Sequence, residues 1–267
     1  MHEVVHKQKR AGLAVAIALA FAAFAPAASA APLNLTDGDK ITLAWGPLGP
    51  TPFGGGEFMA SGVAGSVLNG AGDSFLTFCV EYSEHIGLNT QYYVDINTQA
   101  VRGGLGVSGY GSPDPNGVLN SYDPLSKGTA WLYTQFRNNT LDTAHGVANN
   151  FVQDAAHANS LQLAIWSLED ELNAGYGTLA AFNSNAMAMN WASVAKTQGA
   201  LWSDTGRVRI LNLYDTRSGT VGAYTFSGNH QDQLYITPVP EPETYAMLLA
   251  GLGLMGFVAR RRARAVA

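Results

Sequence analysis

Phe75-Leu76-Thr77-Phe78-Cys79-Val80-Glu81-Tyr82 is the stretch on which the fold class turns. Leu76, Phe78, Val80 and Tyr82 fall at every second position, the period of a strand with one apolar face, while Phe75, Thr77, Cys79 and Glu81 fall on the other face. On this pattern Cys79 stands off the obvious core face. The same alternation recurs at Ile41, Leu43 and Trp45 and, late in the chain, over Arg207 to Tyr214, Thr220 to Phe226 and Gln233 to Thr237. Between about residues 126 and 200 the spacing turns helical: Trp131 or Leu132 pairs with Phe136, and Leu161, Ile165, Leu168 and Leu172 follow at steps of four, three and four. Asp154, Asn159 and Ser160 are candidate caps for the second helix, with Gly175 and Gly177 as its stops. Gly103 to Pro124, rich in Gly, Ser, Pro, Asp and Asn, reads as a long surface loop, and no internal repeat is evident. The expected fold is α+β: a β-rich sandwich or barrel-like body with strands first and last and a helical insertion between them.

The 267 residues divide into three unlike pieces. Lys7, Lys9 and Arg10 precede an apolar stretch from Ala11 to Ala25, then Pro26 and the small residues Ala28-Ser29-Ala30. That order predicts a secretory signal peptide over residues 1–30, helical in its apolar part and cleaved after Ala30. Residues 31–237 are the right size for one globular body. At the far end Pro238-Val239-Pro240-Glu241-Pro242-Glu243 leads into an apolar run from Tyr245 to Ala259 and then Arg260, Arg261 and Arg262. As a helix the run would span roughly 22 Å, short against a hydrocarbon core of about 30 Å, with the arginines held on the cytoplasmic side. Residues 31–240 carry eight Lys and Arg against 17 Asp and Glu, a net charge of −9. A body this acidic excludes nucleic acid as the expected partner, because phosphate binding needs clustered basic side chains.

The last thirty residues resemble the PEP-CTERM sorting signal of Gram-negative bacteria, with Val239, Pro240, Glu241 and Pro242 as the motif, a short membrane helix and the Arg260 to Arg262 tail. The resemblance implies processing by an exosortase, an integral membrane enzyme of organisms that make an exopolysaccharide matrix. The chain is then expected outside the inner membrane, at the cell surface or in the extracellular matrix, and transiently anchored through the C-terminal helix.

Cys79 is the single cysteine, so an exported body has no intramolecular disulfide open to it. Taken alone it is most simply a small buried hydrophobe. Eighty-three residues later comes Leu161-Gln162-Leu163-Ala164-Ile165-Trp166. Phe78-Cys79-Val80 on a strand and Leu161-Gln162 followed by Ile165-Trp166 on a helix together resemble the thioester domains of bacterial surface adhesins. More loosely the resemblance extends to Trp131-Leu132-Tyr133 through Phe136 and to Gln231-Asp232-Gln233-Leu234, so that it touches most of residues 70–237. It implies an internal thioester between Cys79 and Gln162, with Phe78 and Trp166 supporting the pocket, and covalent attachment to an amine or hydroxyl of a target. Such an event happens once per molecule, so the chain is expected not to be a turnover enzyme.

The plainer readings of the same residues are Gln162 as the third helical residue of a capping box with Asn159, and Trp166 as core. His85 and His157 are candidate bases, although a structural role is the commoner one for a histidine. Glu169-Asp170-Glu171 reads as a solvated helix face, because consecutive carboxylates on a helix point in different directions. His85, His145, His157 and His230 show no metal-ligand spacing, and neither a metal nor a cofactor is expected. The alternative function is a non-covalent structural or carbohydrate-binding component of the biofilm matrix, with Tyr92, Tyr93 and Tyr110 stacking on sugars. A cysteine hydrolase pairing Cys79 with a histidine is a distant third.

Overall fold

The computed structural model describes residues 34–63, 73–82, 84–101, 122–141 and 154–238, together with Leu249, Gly251, Leu252 and Met255. The expected signal peptide over residues 1–30, nearly all of the expected Gly103 to Pro124 loop, Tyr110, His145 and most of the C-terminal tail lie outside the described residues.

Among the described residues the body is mostly β-sheet with four helices, the α+β class expected. Six strands make the main sheet: β1 (Lys40–Pro50), β2 (Gly56–Gly62), β3 (Ser74–Thr77), β4 (Gln91–Asn97), β7 (Val208–Thr220) and β8 (Ala223–Ile236). Their order is β3-β2-β1-β4-β7-β8, and every neighbouring pair is antiparallel. A small two-stranded ladder, β5 (Gln99–Val101) with β6 (Tyr122–Pro124), leads into the helices. These are α1 (Lys127–Arg137), α2 (Ala155–Leu168), α3 (Thr178–Ser184) and α4 (Ala186–Gly199), inserted between the early and late strands.

The sheet does not end in two free edges. Just past β3, Cys79 forms an antiparallel bridge with Gln233 of β8. Val80 N donates to Asp232 O at 3.1 Å and Leu234 N donates to Phe78 O at 3.1 Å. First and last strands of the order therefore meet at this one bridge, which joins the sheet into a ring over residues 78–80. Residues 78–80 are the seam.

Closure gives the seam strand two buried faces, which corrects the reading of Cys79 as off the core. Inside the ring, Cys79 packs with Ile41, Leu43, Phe58, Phe75, Tyr92 and Leu211. Outside it, Phe78, Val80, Leu234 and Ile236 meet the helices through Leu132, Phe136, Leu161 and Ile165. Phe78 stands edge-on to Phe136 with centroids 5.2 Å apart. Alternation predicts a face for each residue, but whether the second face meets water or a second core depends on the distant partner.

Helix boundaries differ from expectation in an informative way. Asp154 caps α2, accepting from His157 N at 2.8 Å. Gln162 consequently sits in mid-helix rather than in a capping box with Asn159. The helix stops at Leu168, before Leu172, because Asp170 adopts a left-handed φ of 58° and Glu171 N returns to Trp166 O at 2.8 Å. Gly177, expected as a stop, instead precedes α3 as its N-cap residue. The reversal turns Glu169 and Glu171 inward, 4% and 0% exposed, so the expected solvated face is wrong for both. Glu169 is committed to α1: its carboxylate accepts from Ser126 N, the cap residue of that helix, at 3.3 Å. Between α1 and α4 the backbones nearly touch, since a Cβ on Gly199 would lie 2.5 Å from Lys127 O.

The expected strand over Thr220 to Phe226 contains a turn. Thr220 pairs with Ala223 around Val221-Gly222, so β7 and β8 form one long hairpin. Among the described residues no helix is long and apolar enough to cross a membrane. Within Tyr245 to Ala259, Leu249, Gly251, Leu252 and Met255 are helical, and the remainder of that segment lies outside the described residues.

Burial pushes the Glu169 carboxyl up to about 7, against the opposing pull of its bonds to Thr129 and Ser126. A folded value above the ordinary 4.5 means that stability is fully present below the ordinary value and is lost as pH rises through about 7. Thermal unfolding from pH 4.5 to 8 is expected to show this decline, and Glu169→Gln, which keeps an acceptor for Ser126, is expected to remove up to roughly 3 kcal/mol of it.

Candidate functional site

Cys79 and Gln162 come together at the seam, though they are 83 residues apart. Gln162 Nε2 donates to Cys79 O at 2.9 Å, and Cys79 N donates back to Gln162 Oε1 at 3.2 Å. A second backbone donor, Gly56 N, reaches the same Oε1 at 3.1 Å. Both residues are fully buried. The amide is thus held at both ends, with two N–H groups aimed at its carbonyl oxygen.

Local sequence explains how a helix side chain reaches into a strand seam. Gln162 lies on the face of α2 that meets β1 and β2, where Gly54-Gly55-Gly56 leads into β2. A Cβ on Gly55 would lie 2.6 Å from two ring carbons of Trp166 and 3.0 Å from Gln162 Cγ, so α2 can settle here only against a residue without a side chain. Neither Gly55 nor Gly56 was singled out by the sequence pattern; the run of three glycines was the available signal.

Gln233 is the other residue that sequence reasoning left without a role. From β8 its Nε2 lies 3.7 Å from Cys79 Sγ, and its side chain is fully buried. Burial in the apolar ring pushes the Cys79 thiol up to about 12, with the Gln233 contact acting weakly the other way. The resting sulfur is therefore a neutral thiol at physiological pH.

The supporting residues separate. Trp166 is buried, stands edge-on to Tyr82 at 5.0 Å and is the indole against Gly55. Phe78 points away from the ring, into the helix side, and touches the site through its backbone. His157 binds Asp154 in the first turn of α2 and packs near Trp191. His85 lines an open cavity of about 230 Å³ together with Trp45, Phe53, Tyr82, Glu84 and Trp166. No hydrogen bond joins either histidine to Cys79 among the described residues, which gives the hydrolase pairing no geometric basis. The same cavity includes Gly55, so one wall of it is also a wall of the Gln162 pocket.

Of the tyrosines expected to stack on sugars, Tyr92 and Tyr93 do not form a platform, and Tyr110 lies outside the described residues. Tyr92 is 1% exposed, with its hydroxyl bonded to Gly87. Tyr93 lies beneath Lys40 and Arg217, whose charged groups sit 4.7 and 5.0 Å from its centroid.

Val239, Pro240, Glu241, Pro242 and the Arg260 to Arg262 tail lie outside the described residues, and there the comparison with known families decides. Residues 238–262 match the PEP-CTERM protein-sorting motif. The chain therefore carries the sorting signal of an exported protein handled by an exosortase, with a membrane-associated C-terminal segment. No curated protein and no solved structure matches the chain. The family match lies wholly in the tail, and the likeness of the body to thioester-forming domains gains no support from these comparisons.

Gly55→Ala is expected to destabilise the body by about 1–3 kcal/mol through overpacking against Trp166, read as a lower denaturation midpoint. Gly54→Ala would serve as the control for space, because a Cβ there meets nothing within 4 Å, although its φ of 81° adds a strain of its own.

Proposed function

We propose that the body attaches covalently to a surface or matrix target through a thioester between Cys79 and Gln162. The observation that carries this reading is the pair of backbone donors, Cys79 N and Gly56 N, converging on Gln162 Oε1. Negative charge develops on that oxygen when sulfur attacks the amide carbon, and preorganised N–H groups stabilise such charge most effectively away from water. In the reaction the C–S bond forms, the C–N bond breaks, and the thiol proton leaves with the nitrogen as ammonia. Burial of both residues shields the product from hydrolysis. An incoming amine or hydroxyl then takes the acyl group, binds to the side chain of residue 162 and returns the thiol. This single event is self-modification without turnover.

The route for the target is the aromatic cavity beside Gly55 and Trp166, which also carries Glu84 and Gln231 as polar groups. Exosortase sorting supports the setting, since a covalent attachment is of use to a protein displayed outside the cell. The division into signal peptide, one body and sorting tail follows the same logic: two addresses flank the part that stays outside.

Intact mass of the full chain, purified without denaturation, tests the reading. One ammonia less than the mass of the same polypeptide is expected, and methylamine should add at Gln162 and free the thiol. Cys79→Ala should carry the unmodified mass and take up no methylamine. An unmodified mass in the native wild-type protein would sink the thioester.

A second reading draws on the same cavity. Trp45, Phe53, Tyr82 and Trp166 around Glu84 and Gln231 also suit a sugar ring, stacked on aromatic faces and held by a few polar groups. Polysaccharide retention by the Cys79→Ala variant, equal to wild type in a pull-down resistant to neither salt nor detergent, would favour this non-covalent matrix role.

A further inference from the structure

Beside the seam lies a group of acidic side chains that the proposed chemistry does not use. Glu81 follows the seam residues directly, Glu84 lies three residues on, and Asp232 sits on β8 next to Gln233. One carboxylate oxygen from each lies within 4.8 Å of the others. Glu81 is 1% exposed and Asp232 fully buried. Asp232 Oδ2 is fixed by Val101 N at 2.7 Å and Asn212 Nδ2 at 2.9 Å, which leaves Oδ1 with no hydrogen-bond partner. Glu84 Oε1 is oriented by Asn229 Nδ2 at 3.0 Å.

Glu81 is the anomaly. Neither of its buried carboxylate oxygens accepts from an N–H or hydroxyl group among the described residues, and the neighbour its side chain meets is the Glu84 carboxyl. Among the described residues neither Glu81 nor Asp232 forms an ion pair. Its backbone, in contrast, is well held, with Gln231 Nε2 donating to Glu81 O at 2.8 Å. A carboxylate buried without donors costs several kcal/mol. Burial pushes Glu81 far above the usual carboxylate range, and the nearby charges of Asp232, Glu84 and Glu171 push it further. The side chain is nonetheless aimed at two more carboxylates.

We propose that Glu81, Glu84 and Asp232 bind a divalent cation of the calcium class across the seam. An all-oxygen, histidine-free set selects a hard cation, and Ca–O distances of about 2.3–2.6 Å reach across such a spread more readily than the shorter bonds of Mg2+. Glu84 lines the open cavity, so the ion has a path from solvent and water has room to complete the shell. The two sides of the ring closure would share one ion: Glu81 and Glu84 from the segment after Cys79, Asp232 from β8. The site is independent of whether the thioester forms.

The experiment takes the full chain stripped with EDTA and titrates it with CaCl2, read by calorimetry and by thermal unfolding. Saturable binding of one ion with Kd of about 0.1–1 mM, in the range of extracellular calcium modules, is expected. Melting temperature should rise with CaCl2 and not with KCl of equal ionic strength, and MgCl2 should be weaker. Glu81→Gln, which keeps the shape of the side chain and removes a carboxylate from the group, should fold and lose the calcium-dependent shift; Asp232→Asn should lose it also. Cys79→Ala should bind as wild type does. Absence of saturable binding up to about 10 mM CaCl2, or a shift undiminished in Glu81→Gln, would overturn the site.

Discussion

The antiparallel bridge between Cys79 and Gln233 is the constraint on which the remaining structure depends. With it, a six-stranded sheet becomes a ring, and a strand with one predicted face acquires two buried ones. Inward, Cys79 joins an apolar interior; outward, Phe78 and Val80 become the floor on which α1 and α2 rest. Tyr133 records the dependence, because its one hydroxyl proton is shared between Leu76 O at 2.8 Å and Leu234 O at 3.3 Å, one from each side of the closure. Helices and ring are thus fastened to the same few backbone groups.

Much of this was legible in the sequence, and the parts that were not share a cause. The alternation of Ile41, Leu43, Leu76, Phe78 and Val80 and the four-three-four steps from Leu161 are local patterns, and they placed β1, β3 with its extension, and α2 as far as Leu168, overrunning its end. The meeting of Cys79 with Gln162 was suggested by paired motifs, not by spacing. What escaped was set by contacts between distant segments. Glu169 and Glu171 look like helix-surface carboxylates until Asp170 reverses the chain and presents them to Ser126 N and Tyr82 N. Gly55 is one glycine of three until Trp166 is packed against it, and Tyr92 looks like a surface aromatic until the ring closes over it.

Electrostatics sharpens the contrast between the two ends of the site. The amide of Gln162 meets two donors at its oxygen and an acceptor at its nitrogen, a neutral group partnered at both ends. A few residues away, Glu81 and Asp232 retain carboxylate oxygens that accept from no N–H or hydroxyl group among the described residues. Both arrangements are buried, and both straddle the same junction of strands. Part of the acidic composition of the body between residues 31 and 240 is therefore gathered where the ring is joined instead of being spread over a solvated surface.

The long β7–β8 hairpin gives the molecule a mechanical character. β8 ends at Ile236, and the sorting motif begins at residue 238, so the strand nearest the membrane-directed tail is also the strand that flanks Cys79. Tension between an anchored tail and a captured target would enter the body lengthwise along β8. That strand is laced to β7 on one side and bridged to residues 78–80 on the other, so such a load would have to shear the β7–β8 ladder and the bridge together rather than unzip them bond by bond.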